Sequence, residues 1–230
     1  MNLKLSGNFY RNLPLFSYFP KSALPKARKI FNVKKYNANS IIISQNAKGD
    51  YLYIVVSGLV KIYRTSETGS VRKTLAILKR NEFFGEMALF DHSGRSASAL
   101  AITDVEVIAC KRNDFLKLLS KYSQSCFLII SLLVSRLREA DKQISSLTFQ
   151  NALGRVAIII GDLCERHGLK NSRGILIDMD LTHQDIAEMA GTAREVVTKI
   201  ISVFKRAQCL KFEGKRMTVT NLRKIRGWIY

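Results

Sequence analysis

The chain is short of acid. Against 37 Lys+Arg it carries 18 Asp+Glu, which leaves a formal net charge of +19 over 230 residues. So large an excess disfavours cationic partners and predicts attraction to a polyanion, either nucleic acid or an anionic membrane surface. Long apolar runs are scarce as well. Phe127–Ile130 and Leu132–Val134, split by Ser131, fall far short of the roughly 20 residues a spanning helix needs. Met1 to Gly7 has no apolar core of a secretory signal, so no membrane partner and a cytoplasmic location are expected. Cys110, Cys126, Cys164 and Cys209 are isolated, and no C-x-x-C pair exists to make a zinc knuckle or a dithiol motif. His92, His167 and His183 are equally scattered, so no metal is expected and the thiols suit a reducing compartment. What remains, 47% hydrophobic and 24% charged, is a foldable composition of one large domain or two smaller ones.

The charge is spread over the whole chain. Residues 1–150 carry +13 and residues 151–230 carry +6. The first 49 residues hold nine Lys/Arg and no acid, and Lys199 to Arg226 holds nine basic residues and only Glu213. The N-terminal excess, Lys26, Arg28, Lys29, Lys34 and Lys35 included, is expected to flank bent DNA or to meet an acidic partner surface.

From about Ser40 to Cys110 the pattern is of short strands, Ile41 to Ile43, Tyr51 to Val56, Leu59 to Tyr63, Val71 to Leu78 and Val105 to Cys110. Turn residues at Lys48-Gly49-Asp50, Ser57-Gly58 and Glu67 to Ser70 separate them, which predicts an antiparallel barrel or sandwich. From Asn113 to Gln150 the period becomes helical, with no Pro or Gly to interrupt it. Cys126, Ile130, Leu133, Leu137, Ala140, Ile144 and Leu147 form an a/d seam. Phe127, Leu128, Ile129, Leu132 and Val134 are expected to pack on the β module, while the seam meets a partner helix. A parallel homodimer is favoured over packing within one chain, because no second heptad helix exists. Further on come a helix from Ala152 to Glu165, a strand from Ile175 to Met179, helices Gln184 to Ala190 and Arg194 to Ala207, and a hairpin from Leu210 to Val219.

The two late helices have the layout of a helix-turn-helix. Ile186, Ala187 and Met189 face inward, Gly191 with Thr192 and Ala193 makes the turn, and Val197, Ile200 and Ile201 anchor the second helix. Arg194, Glu195, Thr198 and Lys199 are left on an outer face able to read base edges in a major groove. Thr182, His183 and Gln184 begin the first helix, where donors suit backbone phosphates. Lys215-Arg216 would tip a basic wing. A generic amphipathic hairpin with a solvated face is the plainer alternative, and the turn, wing and local charge favour duplex DNA.

Phe83 to Ala97 has the chemistry of a pocket for a small phosphorylated ligand. Gly85 permits close approach of the backbone, Arg95 offers a fork for phosphate with the Ser96 hydroxyl beside it, and Glu86 can accept from a sugar hydroxyl. A structural Glu86–Arg95 ion pair explains the same residues and stays open on this reading.

Phe83 to Ala97 resembles the phosphate-binding cassette of cyclic-nucleotide-binding domains. Arg194-Glu195-x-x-x-Lys199 resembles the recognition helix of the cyclic-AMP receptor protein/fumarate-nitrate-reduction regulator family, and the order of modules matches that family across nearly the whole chain. The resemblance implies an α+β fold. An N-terminal antiparallel, jelly-roll-like β-barrel would form a sensor over 1–120, a dimerisation helix and hinge would span 121–150, and a winged helix-turn-helix would span 151–230. It implies a transcription regulator, not an enzyme, that binds double-stranded DNA as a homodimer, with RNA polymerase as a further partner and a cyclic nucleotide, cyclic AMP foremost, as effector. Glu86 would bind the ribose 2′-hydroxyl and Arg95 and Ser96 the cyclic phosphate, with Gly85, Met87 and Ala97 beside them and Arg136 as a coupling residue. Ala140 and Asp141 stand where cyclic-AMP responders carry a Thr-Ser-like pair that reads adenine. Ala140 has no side-chain hydrogen bond to offer, and Asp141 accepts but does not donate. Asn81 replaces a usual Gly, and Lys199 a commoner Arg. An iron–sulfur sensor would need an N-terminal cysteine cluster, and a haem sensor more ligands than His92 and Cys110 on the β module, so neither group is expected. The alternatives are a regulator of the same fold controlled by abundance, and a nucleotide-binding module that acts on a partner protein.

Overall fold

A strand buried on both faces reads as a nearly continuous apolar run, and two such strands organise the sensor half of the molecule. The computed structural model describes residues 10, 13–16, 19–90 and 93–229, so His92 lies outside the described residues. The chain divides into two compact units, residues 1–137 and 138–230. In the first, strands β1 (Phe31–Tyr36), β8 (Val105–Lys111), β3 (Tyr51–Ser57) and β6 (Phe83–Phe84) form one antiparallel sheet in that order. Strands β2 (Ile41–Ile43), β7 (Ser98–Ala101), β4 (Val60–Thr65) and β5 (Arg72–Leu78) form the other. Tyr53 and Val55 of β3 and Val105, Val107 and Ala109 of β8 pack against Val60, Ile62, Ala99 and Ala101 of the second sheet. Their neighbours Leu52, Ile54, Val56, Ile108 and Cys110 point the other way, into a helical layer. This is the antiparallel, jelly-roll-like β domain that the sequence predicts.

The helical layer is built from α1 (Leu24–Ile30), α3 (Arg112–Lys121) and the start of α4 (Cys126–Phe149), while the short α2 (Met87–Phe90) follows β6. Ala23, Ala27, Phe115, Leu118, Leu119 and Ile129 are buried in it, together with Tyr10, Leu13, Leu15, Phe16 and Phe19. The basic N-terminal region therefore supplies core as well as charge: its apolar side chains are covered, and Lys26, Arg28, Lys29 and Lys35 stay exposed. Burial pushes the Cys110 thiol up to about 12, as expected for an inert core cysteine.

Two expectations need correction. The uninterrupted pattern from Asn113 to Gln150 predicts one helix, but the chain breaks at Tyr122, which takes φ −128° and ψ 69° between α3 and a 3-10 turn at Ser123–Ser125. Tertiary packing is the reason. Phe115, Leu118 and Leu119 are pinned to the sheet, Ser125 is buried, and the Tyr122 ring sits edge-on to Phe19 at 6.0 Å. Of the apolar residues expected to pack the start of α4 on the β module, Ile129 is buried and Leu132 half-buried, but Phe127 is 63% exposed and Val134 is exposed too. β1, β6, β7 and the strand at Gly168–Asn171 also escaped the sequence pattern. β1 carries Asn32 and the adjacent Lys34 and Lys35 in place of an apolar run, and β6 is two residues long.

Asn81 accepts the left-handed conformation expected of it, with φ +73°. In the second unit, α5 (Ala152–His167), α6 (His183–Ala190), α7 (Arg194–Arg206) and α8 (Leu222–Arg226) pack with an antiparallel sheet. Its order is β11 (Leu210–Glu213), β12 (Arg216–Val219), β10 (Gly174–Ile177) and β9 (Gly168–Asn171). Among the described residues no single helix is long and apolar enough to cross a membrane.

Phe115 is fully buried between α3 and the sheet. Phe115→Ala should cost about 3–5 kcal/mol of stability in urea unfolding. A loss below about 1 kcal/mol would show that the helical layer is not part of the sensor core.

Candidate ligand pocket and nucleic-acid interface

The turn from β6 into α2 makes the pocket. Gly85 takes φ +82°, and a Cβ there would meet Arg95 Nη1 at 2.6 Å and the Tyr51 carbonyl oxygen at 3.2 Å, so the turn requires glycine. Arg95 is 5% exposed and donates from Nη1 to the Gly85 carbonyl at 2.6 Å and from Nη2 to the Tyr51 carbonyl at 2.7 Å. Its plane lies 6.0 Å from the Tyr53 ring centroid, and Tyr53 in turn stacks on Phe84 at 5.2 Å. Burial lowers the Arg95 pKa from its ordinary value and pushes the Tyr53 phenol up to about 12. The tyrosine stays protonated and the guanidinium charged, because arginine starts so high.

Glu86 is 1% exposed, and its Oε1 lies 3.1 Å from Arg136 Nε. The open question of a Glu86–Arg95 pair is thereby answered: the carboxylate faces Arg136, which also donates to the Phe83 carbonyl at 3.1 Å, and Arg95 is held by main chain. Arg95 is answered by hydrogen bonds to main chain, whereas Glu86 Oε1 and Arg136 Nε are buried in an ion pair that lacks hydrogen-bond geometry. Ser96 is exposed, with its hydroxyl 3.4 Å from Met87 Sδ. Arg112 Nε donates to the Leu89 carbonyl and fixes the end of α2.

Gly85, Glu86, Met87, Arg95, Ser96, Ala97 and Arg136, seven of the nine residues assigned from sequence to the ligand, line one cavity. Its remaining wall is apolar and includes Ile43, Ile62 and Phe84. Two cations, one carboxylate and an apolar wall can hold an anion that also carries a hydroxyl. Ala140 and Asp141 are exposed on α4 and belong to the second unit. Sequence reasoning missed Tyr51 and Tyr53, which orient Arg95 from more than forty positions away and leave no local signal. Among the described residues no cluster of His, Cys, Asp or Glu could hold a metal ion.

In the second unit Thr182 caps α6. Its side chain accepts from the Asp185 amide, and the Asp185 carboxylate accepts from the Thr182 amide at 3.0 Å. This capping box makes Thr182 the start signal of α6, and Asp185 at the third helical position completes it. Gly191 closes the helix with φ +62° and ψ +51°, the left-handed cap that turns the chain into α7. Val197, Ile200, Ile201 and Phe204 bury one face of α7. Arg194, Glu195, Thr198 and Lys199 are exposed together on the opposite side, Gln184 is exposed at the start of α6, and Thr192 is half-covered in the turn.

His183 joins three elements. Its Nδ1 is 2.9 Å from the Thr198 hydroxyl of α7, and its ring meets Phe212 of β11 edge-on at 5.8 Å. Thr198 donates its only hydroxyl proton to the Arg194 carbonyl at 3.0 Å, so Nδ1 carries the proton in that bond. Lys205 lies over the Phe212 ring at 5.2 Å.

Residues 33–122 match the family model of the cyclic nucleotide-binding domain, and residues 154–228 match that of the Crp-like helix-turn-helix domain. The chain is 36% identical over 188 residues to the cyclic AMP receptor protein of Thermus thermophilus, a match that covers 82% of this chain and 83% of that one. It is 27% identical over 211 residues to the CRP-like cAMP-activated global transcriptional regulator of Mycobacterium tuberculosis, covering 92% and 94%. The solved structure of the c-di-GMP-responsive global regulator CLP of Xanthomonas campestris shares the fold with a TM-score of 0.77 at 19% identity, over 87% of this chain and 99% of that one.

Burial, then the charges of Lys205 and Arg194, hold the His183 imidazole below its ordinary 6.5. The folded chain therefore binds fewer protons at this site than the unfolded chain. The contribution to stability is intact above pH 6.5 and is lost as pH falls through the lower folded value. Urea unfolding from neutral to mildly acidic pH should show that decline, and His183→Gln should make it shallower. An identical slope in the variant would reject the assignment.

Proposed function

The chain belongs to the cyclic-AMP receptor protein/fumarate-nitrate-reduction regulator family of DNA-binding transcription regulators, and from that premise we propose a homodimer gated by a cyclic nucleotide, with cyclic AMP the first candidate. One observation carries the reading: seven residues from the turn after β6, α2, the segment before β7 and α4 converge on one pocket with buried opposite charges. In this reading Arg95 and Ser96 take the phosphate, Glu86 takes the ribose 2′-hydroxyl, and Gly85, Met87 and Ala97 shape the floor. Arg136, on α4 and paired with Glu86, is placed to feel a ribose that competes for that carboxylate. Cyclic nucleotide bound there would favour one disposition of the α4 helices, and only a difference in its affinity for the two states can switch DNA binding.

The dimer is proposed on the apolar stripe of α4. Leu137 is 63% and Ile144 62% exposed, and Ile130, Leu133 and Leu147 continue the same seam. A stripe of that length left in water is costly, and a second copy of the helix covers it. Across the dimer, Ala140 and Asp141 would stand near the base of the nucleotide. The two α7 helices would then enter successive major grooves about 34 Å apart, with Arg194, Glu195, Thr198 and Lys199 at base edges. Gln184, His183, Thr182 and Thr192 would lie along the phosphates. RNA polymerase is the further partner and the cytoplasm the location that this function implies.

A second reading, control by abundance with no effector, has one observation in its favour. Arg136 already faces Glu86 within the chain, so the buried carboxylate has a cationic neighbour without any ligand.

Calorimetry with cyclic AMP, cyclic GMP and cyclic di-GMP separates the two, paired with binding of a duplex selected by the protein from a random pool. Gating predicts heat with one nucleotide and a ~10-fold gain in duplex affinity, both lost in Arg95→Ala. No heat with any of the three favours control by abundance. Replacing Leu137 and Ile144 together by Lys should convert the species seen in sedimentation velocity from dimer to monomer, and a persisting dimer would move the interface elsewhere.

A further inference from the structure

The end of an α-helix leaves carbonyl oxygens that no amide of the helix can reach, and these carry the negative pole of its dipole. In the second unit two helix ends are answered by one side chain. Arg155, in the first turn of α5 and half-buried, donates from Nη1 to the Gln150 carbonyl at 2.8 Å, just beyond the end of α4. From Nε it donates to the Ala190 carbonyl at 2.9 Å and from Nη2 to the Gly191 carbonyl at 3.3 Å, at the end of α6. Gly191 is the left-handed residue from which the chain enters α7. The planar fork of a guanidinium holds its donors at fixed angles, so three bonds to two helix ends fix those ends relative to each other. The start of α5 is itself fixed, because the Asn151 side chain accepts from the Gly154 amide at 2.9 Å.

We propose that Arg155 is a positioning residue that ties the C-terminal end of α4 to the turn of the helix-turn-helix. A movement of α4 then carries α7 with it instead of being absorbed in the short link at Gln150 and Asn151. The tie rests on these bonds alone; that it transmits a nucleotide signal rests on the gating read above.

The test places nitroxide labels at the exposed Ser145 of α4 and Ser202 of α7 in the full chain. The exposed Cys126 is replaced by Ser, and the buried Cys110, Cys164 and Cys209 are left in place. Labelled chain is mixed with excess unlabelled chain, so that the measured distances are within one chain. Arg155 as the wild-type residue should give one narrow distance distribution, and Arg155→Gln should broaden it roughly twofold. Arg155→Lys, which keeps the charge but reaches fewer carbonyls, should fall between. An unchanged width in Arg155→Gln overturns the tie, and if that variant does not fold, an unchanged width in Arg155→Lys does so. In the same variants, a ~10-fold dependence of duplex affinity on cyclic AMP should fall toward onefold while calorimetric affinity for the nucleotide is unchanged. A retained dependence overturns transmission through Arg155. A wild type with no nucleotide dependence removes the gating instead, and the label distances still decide the tie.

Discussion

Arginine side chains that donate to main-chain carbonyls hold up both functional regions of this protein. Arg95 on the Gly85 and Tyr51 carbonyls, Arg136 on the Phe83 carbonyl and Arg112 on the Leu89 carbonyl brace the pocket. Arg155 braces the helix-turn-helix through the carbonyls of Gln150, Ala190 and Gly191. A carbonyl taken out of water without a donor costs free energy of the same order as a lost hydrogen bond, and a charge-assisted bond answers it more strongly than a neutral one. Turns and helix ends, where regular ladders stop, are the places where such carbonyls accumulate. Arginine suits them because it stays charged where burial would neutralise lysine.

The same constraint bears on the chemistry of the pocket. Arg95 spends two of its five donors on main chain and keeps three, so it can be held in place and still face an anion. Glu86 is buried beside a cation on α4, which makes its carboxylate available to a hydroxyl only in competition with Arg136. On the proposed reading, a ligand that supplies both phosphate and hydroxyl would meet the free donors of Arg95 and compete with Arg136 for Glu86. Occupancy would then be reported through Arg136, whose pairing the ligand would change.

In the DNA-binding unit the polar residues have divided duties. Thr182 is occupied as a helix cap with Asp185, and Thr198 shares its hydroxyl between His183 and the Arg194 carbonyl. Arg194, Glu195 and Lys199 are exposed on the α7 face, and among the described residues their side chains make no such structural bond. The net charge of +19 favours a polyanion at long range, and on the proposed reading these few side chains would supply what is read at short range.

Much of this was legible in the sequence, and the limits are physical. The heptad seam, the strands around β3 and β8, the turn glycines and the order of modules follow from local periodicity and backbone conformational preference, which are properties of a residue and its near neighbours. The pairing of Glu86 with Arg136 rather than Arg95 was not legible, nor was the placement of Tyr51 and Tyr53 around Arg95. Those partners are tens of residues apart, and only the folding of two sheets and a helix brings them together. The break at Tyr122 is of the same kind. Local propensity called for one helix, and the burial of Phe115, Leu118, Leu119 and Ser125 required two. The sequence by itself determined which residue types the sites contain and which elements bear them. The tertiary structure decided which charge answers which, because the cost of burying a charge is settled by its nearest neighbours in space and not by its neighbours along the chain.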